Sequence, residues 1–330
     1  MSLPGLDMRL RFQFGCLFFA GIIGMLTCNP VLGEIRKETH IYKTVGDLAI
    51  QADVYRPDDK QVRPVVVWIH GGALINGHRE AIDTRLKNAM LETGYIVVSI
   101  DYRLAPETQL PGVISDVEDC LNWIHEKGPA LFQADPGRVA VAGGSAGGYL
   151  TLVTGYRVKP RPKALVAYWG YGDLVGAWYS EPSPHPAHHQ IQVTREEAFR
   201  QVAGPPISDA RNRQGNGSAF YQFCRQQGIW PKSVSGWDPH TEPAKFYPYM
   251  PVKNVSPDFP PTLLIHGDKD TDVPYEQSLM MVAEFQRHGV EHRLIGLAGG
   301  EHGLAGADKA QIEEAHQAAH AFIRKHLGTP

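Results

Sequence analysis

Short, fully apolar runs alternate along this chain with longer segments whose apolar positions recur every three or four residues. VVVWIH (65–70) follows Pro64; then come YIVVSIDY (95–102), RVAVAGG (138–144), KALVAYW (163–169), TLLIHG (262–267) and HRLIGL (292–297). VVVWIH, a continuous β-branched run, predicts a strand buried on both faces, as in a parallel sheet; YIVVSIDY predicts a second buried strand, and the other runs predict further strands of the core. Between them, REAIDTRLKNAMLETG (79–94) and VISDVEDCLNWIHEKG (113–128) predict helices that stop at Gly94 and Gly128. AGGYLTLVTGYR (146–157) and the segments at about 275–288 and 308–326 predict three more. Earlier in the chain, LAIQADVY alternates apolar with polar, so residues 39–55 predict two strands turning at Val45-Gly46-Asp47.

Strand and helix thus alternate from residue 65 to 169 and again from 262 to the end. That order predicts an α/β, doubly wound fold with a mostly parallel central sheet flanked by helices. Residues 170–258 break the pattern. They are rich in Pro, Trp, Tyr and Gln and lack strong apolar periodicity, which predicts an insertion before the last two strands and not a domain of its own.

Composition changes this picture only at the margins. The chain has 330 residues, 43% hydrophobic and 20% charged, ordinary shares for a globular protein. A net charge of −3 leaves no basic footprint, so nucleic acid is not expected as a partner. The first 33 residues stand apart. Arg9 and Arg11 flank an 11-residue apolar run, Cys16 to Leu26, and NPVLG offers Gly33 as a small residue for cleavage. This layout predicts a secretory signal peptide over 1–33 and export of a single domain, 34–330. The run is shorter than the roughly 20 apolar residues of a spanning helix, although an uncleaved anchor is the alternative. Cys16 and Cys28 fall in that segment; Cys120 and Cys224 remain, and with nothing to bring them together they read as small buried apolar residues.

Candidate chemistry begins at GGSAG (143–147), where a predicted strand ends and a helix begins. The spacing is G-x-S-x-G, which puts Ser145 on a tight, strained strand-to-helix turn with small neighbours and its hydroxyl exposed. A helix N-terminus there favours a developing anion. No lysine follows, so the phosphate-loop pattern fails. Three other strand ends add to the pattern. HGGALINGH (70–78) offers the amides of Gly72 and Ala73, which with that of Ala146 are candidates for an oxyanion hole. HGDKDTDVP (266–274) offers Asp268, Asp270 and Asp272; the spacing to Val273-Pro274 favours Asp270 as the acid, with Asp268 as a turn cap and Asp272 as a helix cap. AGGEHGL (298–304) offers His302 after the acid, completing the order Ser145, Asp270, His302.

Two further clusters need a reading. His185, His188 and His189 lack a frame of metal-ligand spacing and read as a loop. Trp178, Tyr179, Trp230 and Trp237 in the insertion are candidates to stack on a sugar or aromatic acid, or else they pack the insertion onto the sheet.

HGGALINGH, DYRLAPE (101–107), GGSAGG, HGDKDTDVP and EHG, in this order, resemble the α/β-hydrolase superfamily in its esterase/lipase branch, near the hormone-sensitive-lipase-like esterases. The chain is also similar to secreted carbohydrate esterases that remove acetyl or feruloyl groups from xylan. The resemblance covers about 40–170 and 258–328. It implies a serine esterase acting through an acyl-enzyme on a small-molecule or carbohydrate ester, with no metal or organic cofactor. An amide hydrolase of the same fold is the competing enzyme reading, and a non-catalytic binding module the other class. There are departures: Gly144 stands where that branch usually has an acid, Ala73 where it usually has a third glycine, and residues 34–64 are short for its N-terminal cap. They tilt the reading toward the carbohydrate esterases.

Overall fold

The computed structural model describes residues 34–330; the leader-like segment, with Cys16 and Cys28, lies outside the described residues. The strands are β1 (Ile35–Val45), β2 (Leu48–Pro57), β3 (Arg63–Ile69), β4 (Ile96–Ile100), β5 (Ala134–Gly144), β6 (Ala164–Tyr168), β7 (Thr262–Gly267) and β8 (His292–Leu297). The helices are α1 (Thr84–Glu92), α2 (Leu110–Phe132), α3 (Ala146–Arg157), α4 (Ala177–Ser180), α5 (Arg195–Arg200), α6 (Ser218–Gln227), α7 (Trp230–Ser235), α8 (Glu276–His288) and α9 (Lys309–Leu327).

One eight-stranded sheet runs in the order β1-β2-β4-β3-β5-β6-β7-β8. β1 pairs with β2 and β2 with β4 antiparallel; all later pairings are parallel. Every residue of β3, β4, β6 and β7 is buried, as are Val139 to Gly144 of β5. The pleat divides them between two apolar layers. Val65, Val67 and Ile69 face α2, α3 and the insertion, whereas Val66 and Trp68 face α1 and α9. Each such aliphatic side chain contributes on the order of 1.5–3 kcal/mol by burial.

Two helices differ in extent from the sequence pattern. α1 starts at Thr84 and not near residue 79, because the Asp83 carboxylate accepts the Leu86 amide (2.7 Å) as an N-cap. Arg79 is instead spent on the sheet, where it pairs with Asp53 (3.0 Å) and Asp101 (2.6 Å). α2 runs through Gly128 and Pro129 to Phe132 and ends at Gln133 in the left-handed region (φ 53°). Gly128 is not a stop; a Cβ there would meet the Phe132 ring at 2.9 Å, so the residue leaves room for that ring.

The insertion holds α4 to α7 and shares the larger apolar layer with the sheet through Tyr179, Phe220, Trp230 and Phe246. Cys120 in α2 and Cys224 in α6 are free and buried. Among the described residues, no helix is long and apolar enough to cross a membrane.

Candidate active site

The chain leaves β3 toward β4 on one side, while β5 lies on the other side of β3. That reversal opens a crevice at the carboxyl ends of β3 and β5, the place where open α/β sheets bind ligands. The Gly72-Ala73 loop leaves from the end of β3 and Ser145 from the end of β5.

Ser145 has φ 57° and ψ −122°, outside the ordinary regions for an L-residue, at a cost of about 1–3 kcal/mol. The turn is locked by two hydrogen bonds: the Ser145 amide donates to Tyr168 O (2.9 Å), and Ser145 O accepts from the Tyr149 amide (2.9 Å). It also needs Gly147, where a Cβ would run into the backbone oxygens of Ile69 and His70 (2.7 Å to the latter). Gly147→Ala is therefore expected to destabilise the protein by about 2–3 kcal/mol, as overpacking of rigid backbone does. Thermal unfolding checks this: an unchanged Tm shows that the turn yields.

The other two groups come from neighbouring strand ends. Asp270 follows β7 and His302 follows β8, at the head of a short turn in which Gly303 has φ 72°. His302 Nε2 lies 3.1 Å from Ser145 Oγ, and His302 Nδ1 lies 2.8 Å from Asp270 Oδ2. Asp270 Oδ1 accepts the amides of Asp272 and Val273 (2.9 Å each), which fixes the carboxylate, and His266 Nε2 approaches its other oxygen at 3.3 Å. The two loops are tied together: Asp268 accepts the Gly299 amide (2.7 Å), and Glu301 accepts the amide and hydroxyl of Thr271 (3.0 and 2.9 Å). Trp169, just past β6, sets its ring edge-on to His302 at 6.2 Å.

The electrostatics suit proton transfer. Burial pushes the Asp270 carboxyl up, but hydrogen bonds from His266 and His302 outweigh it and bring it down to about 2, so it is an anion. Burial disfavours the His302 cation, yet the Asp270 hydrogen bond and the charges of Asp272 and Asp270 raise it above its ordinary 6.5. His70, close by in sequence to the glycine loop, is fully buried, and burial lowers it to about 4. It stacks on Tyr102 (4.2 Å) with Nδ1 2.7 Å from Gly71 O, a scaffold for the loop.

The chain belongs to the Abhydrolase_3 family. The family model, of the alpha/beta hydrolase fold, matches residues 66–306. A truncated form of a carbohydrate esterase from gut microbiota has TM-score 0.65 and 19% identity, covering 89% of this chain and 96% of that one. Thermogutta terrifontis esterase 2, phosphoramylated by tabun, has TM-score 0.63 and 16% identity, covering 89% and 97%. At these identities the likeness is one of fold. Among curated proteins, the non-reducing polyketide synthase atr1 of Stereocaulon alpinum is 26% identical over 304 residues, 81% of this chain and 12% of that protein. The chain spans 12% and 13% of the length of the first two such relatives, so it is similar to a portion of each.

Within this alpha/beta hydrolase, the glycine-loop position that departs from the usual motif carries a cost. Ala73 has φ 54° and the next residue, Leu74, φ 63°. A non-glycine residue in the left-handed region costs about 1–2 kcal/mol. The insertion offsets it: the buried Trp230 indole donates to Ala73 O at 2.9 Å. Gly72 O accepts the amides of Ile75 and Asn76 (2.8 and 2.7 Å), while the amides of Gly72 and Ala73 have no backbone acceptor among the described residues. Ala146, in the first turn of α3, lies next to the serine. Trp230→Phe is expected to lower Tm and to reduce kcat severalfold with KM little changed, because the loop loses its anchor at a cost of about 1–2 kcal/mol. A kcat equal to the parent's shows that the loop holds its shape without the indole.

In the insertion the packing alternative holds for the aromatic residues, whereas Asp272 departs from the cap expected of it. Tyr179 and Trp230, candidates for stacking on substrate, are 2% and 0% exposed, so no ligand can reach their faces; they stack on each other at 4.0 Å inside the insertion. Trp178 and Trp237 are half-buried; Trp178 stacks on Tyr179 (3.7 Å), and Trp237 packs edge-on to Phe246 (5.5 Å). Asp272 does not cap α8, whose preceding residue Tyr275 makes no side-chain cap. It turns the other way, toward His302. His188 bonds Ser183 Oγ (2.6 Å) and Asp272 (3.2 Å), His189 bonds Ser183 O (2.6 Å), and His185 accepts the Ala187 amide (3.3 Å).

Proposed function

We propose that this alpha/beta hydrolase is a serine esterase that cleaves carboxylic esters through an acyl-enzyme, with acetylated or feruloylated carbohydrate as its substrate class. The observation that carries the reading is the serial contact of Ser145, His302 and Asp270 at 3.1 and 2.8 Å across three loops distant in sequence. In the proposed reaction Ser145 Oγ attacks the ester carbonyl carbon as its proton passes to His302 Nε2. Asp270 holds Nδ1–H in place and stabilises the imidazolium. The amides of Gly72, Ala73 and Ala146 face the oxyanion, each such donor being worth about 3 kcal/mol. The imidazolium protonates the leaving alcohol, and water, deprotonated by the same imidazole, cleaves the acyl-enzyme.

The carbohydrate assignment has as support the Gly144 and Ala73 departures from the lipase-like motifs and the fold likeness to a carbohydrate esterase. The leader-like residues 1–33 support export to the periplasm or the medium. Release of acetate from acetylated xylan, set beside release of ferulate from feruloyl esters and amine from an aminoacyl anilide, tests the reading. Faster turnover of either carbohydrate ester is the expected result; preference for the anilide makes the protein an amide hydrolase instead.

A further inference from the structure

We propose that Asp272 is a positioning residue for His302: a second carboxylate, held by the insertion, that stabilises the imidazolium from the side facing Ser145. The inference rests on the serine-hydrolase reading above.

The two carboxylates of the loop after β7 approach His302 at different nitrogens. Asp270 takes Nδ1, while Asp272 Oδ2 lies 3.7 Å from Nε2, the nitrogen that faces Ser145 Oγ. Their mutual placement is fixed by the loop, since Asp270 Oδ1 accepts the Asp272 amide. The other oxygen of Asp272 is clasped entirely by the insertion. It accepts from the Tyr221 hydroxyl, contacts His188 Nε2 at 3.2 Å and lies 3.9 Å from Arg225 Nη1. Tyr221 and Arg225 are four residues apart in α6 and so share one face of it. His188 is held in turn by Ser183 at Nδ1 and by the Gln226 side-chain amide at its carbonyl (2.9 Å). The histidine cluster of the insertion therefore leads into the active site.

These contacts keep Asp272 charged. Burial pushes its carboxyl up, but the His188 hydrogen bond, the charges of His302 and Arg225 and the Tyr221 hydroxyl hold it well below the usual carboxylate range. The charged groups facing His302 are Asp270 and Asp272 from the loop after β7 and Arg225 from α6. Asp272 in turn meets His188, Tyr221 and Arg225, with Tyr179 nearby; Asp270 meets His266 of β7; and Glu301 is engaged with Thr271. Arg225 is nearly buried, with its guanidinium over the Tyr179 ring (4.9 Å) and with Nε and Nη1 lacking hydrogen-bond partners. Its charge opposes that of Asp272 at His302. Replacing one or the other must therefore move the imidazole in opposite directions.

The experiment is the pH profile of kcat/KM for a neutral nitrophenyl acetate, measured on the full chain and on Asp272→Asn and Arg225→Gln. The free enzyme needs neutral His302, so activity falls as the pH drops through the imidazole's value. Asp272→Asn is expected to move this acid limb down by roughly 1 pH unit, the lower end of what a nearby charge imposes. The plateau should drop about tenfold, the rate equivalent of one unit, in kcat with KM within about twofold. Arg225→Gln is expected to move the limb up. A residue that merely clips the insertion to the loop lowers Tm and leaves the limb in place in both variants; that result overturns the inference. Where the folded fraction, followed by circular dichroism, is constant across the limb, the midpoint does not depend on it and a partly folded variant still reports it. If Asp272→Asn yields no folded protein, Arg225→Gln decides alone: a rise supports the inference and an unmoved limb overturns it. Activity retained in Ser145→Ala removes the serine reading and this one with it, whereas an inactive Ser145→Ala beside unmoved limbs removes this one only.

Discussion

Ser145→Ala is expected to lower kcat/KM for a nitrophenyl ester by on the order of 10⁵-fold, the loss that follows when a nucleophile acting as a unit with its base is removed. The backbone argument says the protein will survive the change. Ser145 already sits at φ 57°, so the strain of that turn belongs to the backbone, and alanine inherits it without addition. The locking hydrogen bonds run through its amide and carbonyl, which alanine keeps. Among the described residues the hydroxyl makes one hydrogen bond, to His302. Tm should thus stay within a few degrees while turnover vanishes. Stoichiometric labelling with an organophosphate gives a second readout: the labelled parent loses its activity, and the variant takes up no label. Retention of more than about a hundredth of the activity, beyond what loss of one such nucleophile allows, sinks the acyl-enzyme reading.

Asp270→Asn is expected to cost about 10⁴-fold in kcat, because an amide oriented by the same loop no longer selects the imidazole tautomer or stabilises its cation. The three acids of HGDKDTDVP are then separable by rate alone. Asp268→Asn should leave kcat within about threefold, since Asp268 accepts only the Gly299 amide and bonds neither the serine nor the histidine. Asp272→Asn falls between, near tenfold. A steeper loss at Asp272 than at Asp270 reverses the assignment and makes the 3.7 Å contact the functional one.

The inner strands were legible because burial on both faces leaves no room for polar alternation, as in β7. β8 falls where its apolar run does, but at the edge of the sheet only Leu297 in it is buried, so the expectation of a core strand fails there. Helix ends were less legible. Gly94 lies just past α1 with φ 87°, yet Gly128 is inside α2. Glycine in the sequence does not say whether the residue turns the chain or makes room for a neighbour's ring. The insertion was legible only as an interruption. Its helices α4, α5 and α7 have 4, 6 and 6 residues, too few to show a period. Among them α6 alone carries an apolar face, Phe220, Phe223 and Cys224, beside which Tyr221 and Arg225 turn toward Asp272.

What the chain settled locally is the strained serine turn, the glycine loop and the order of the three groups, because each depends on residues adjacent in sequence and on sterics that glycine alone relieves. Which carboxylate lies against which imidazole nitrogen was decided by the fold. Spacing to Val273-Pro274 favours Asp270 as the acid, but the place of Asp272 beside the imidazole depends on what the β8 loop and α6 bring against it. The aromatic residues of the insertion followed the same logic. Their composition is compatible with binding or with packing, and burial against the sheet gave Tyr179 and Trp230 to the core, because removing so much apolar area from water outweighs leaving it free for a ligand.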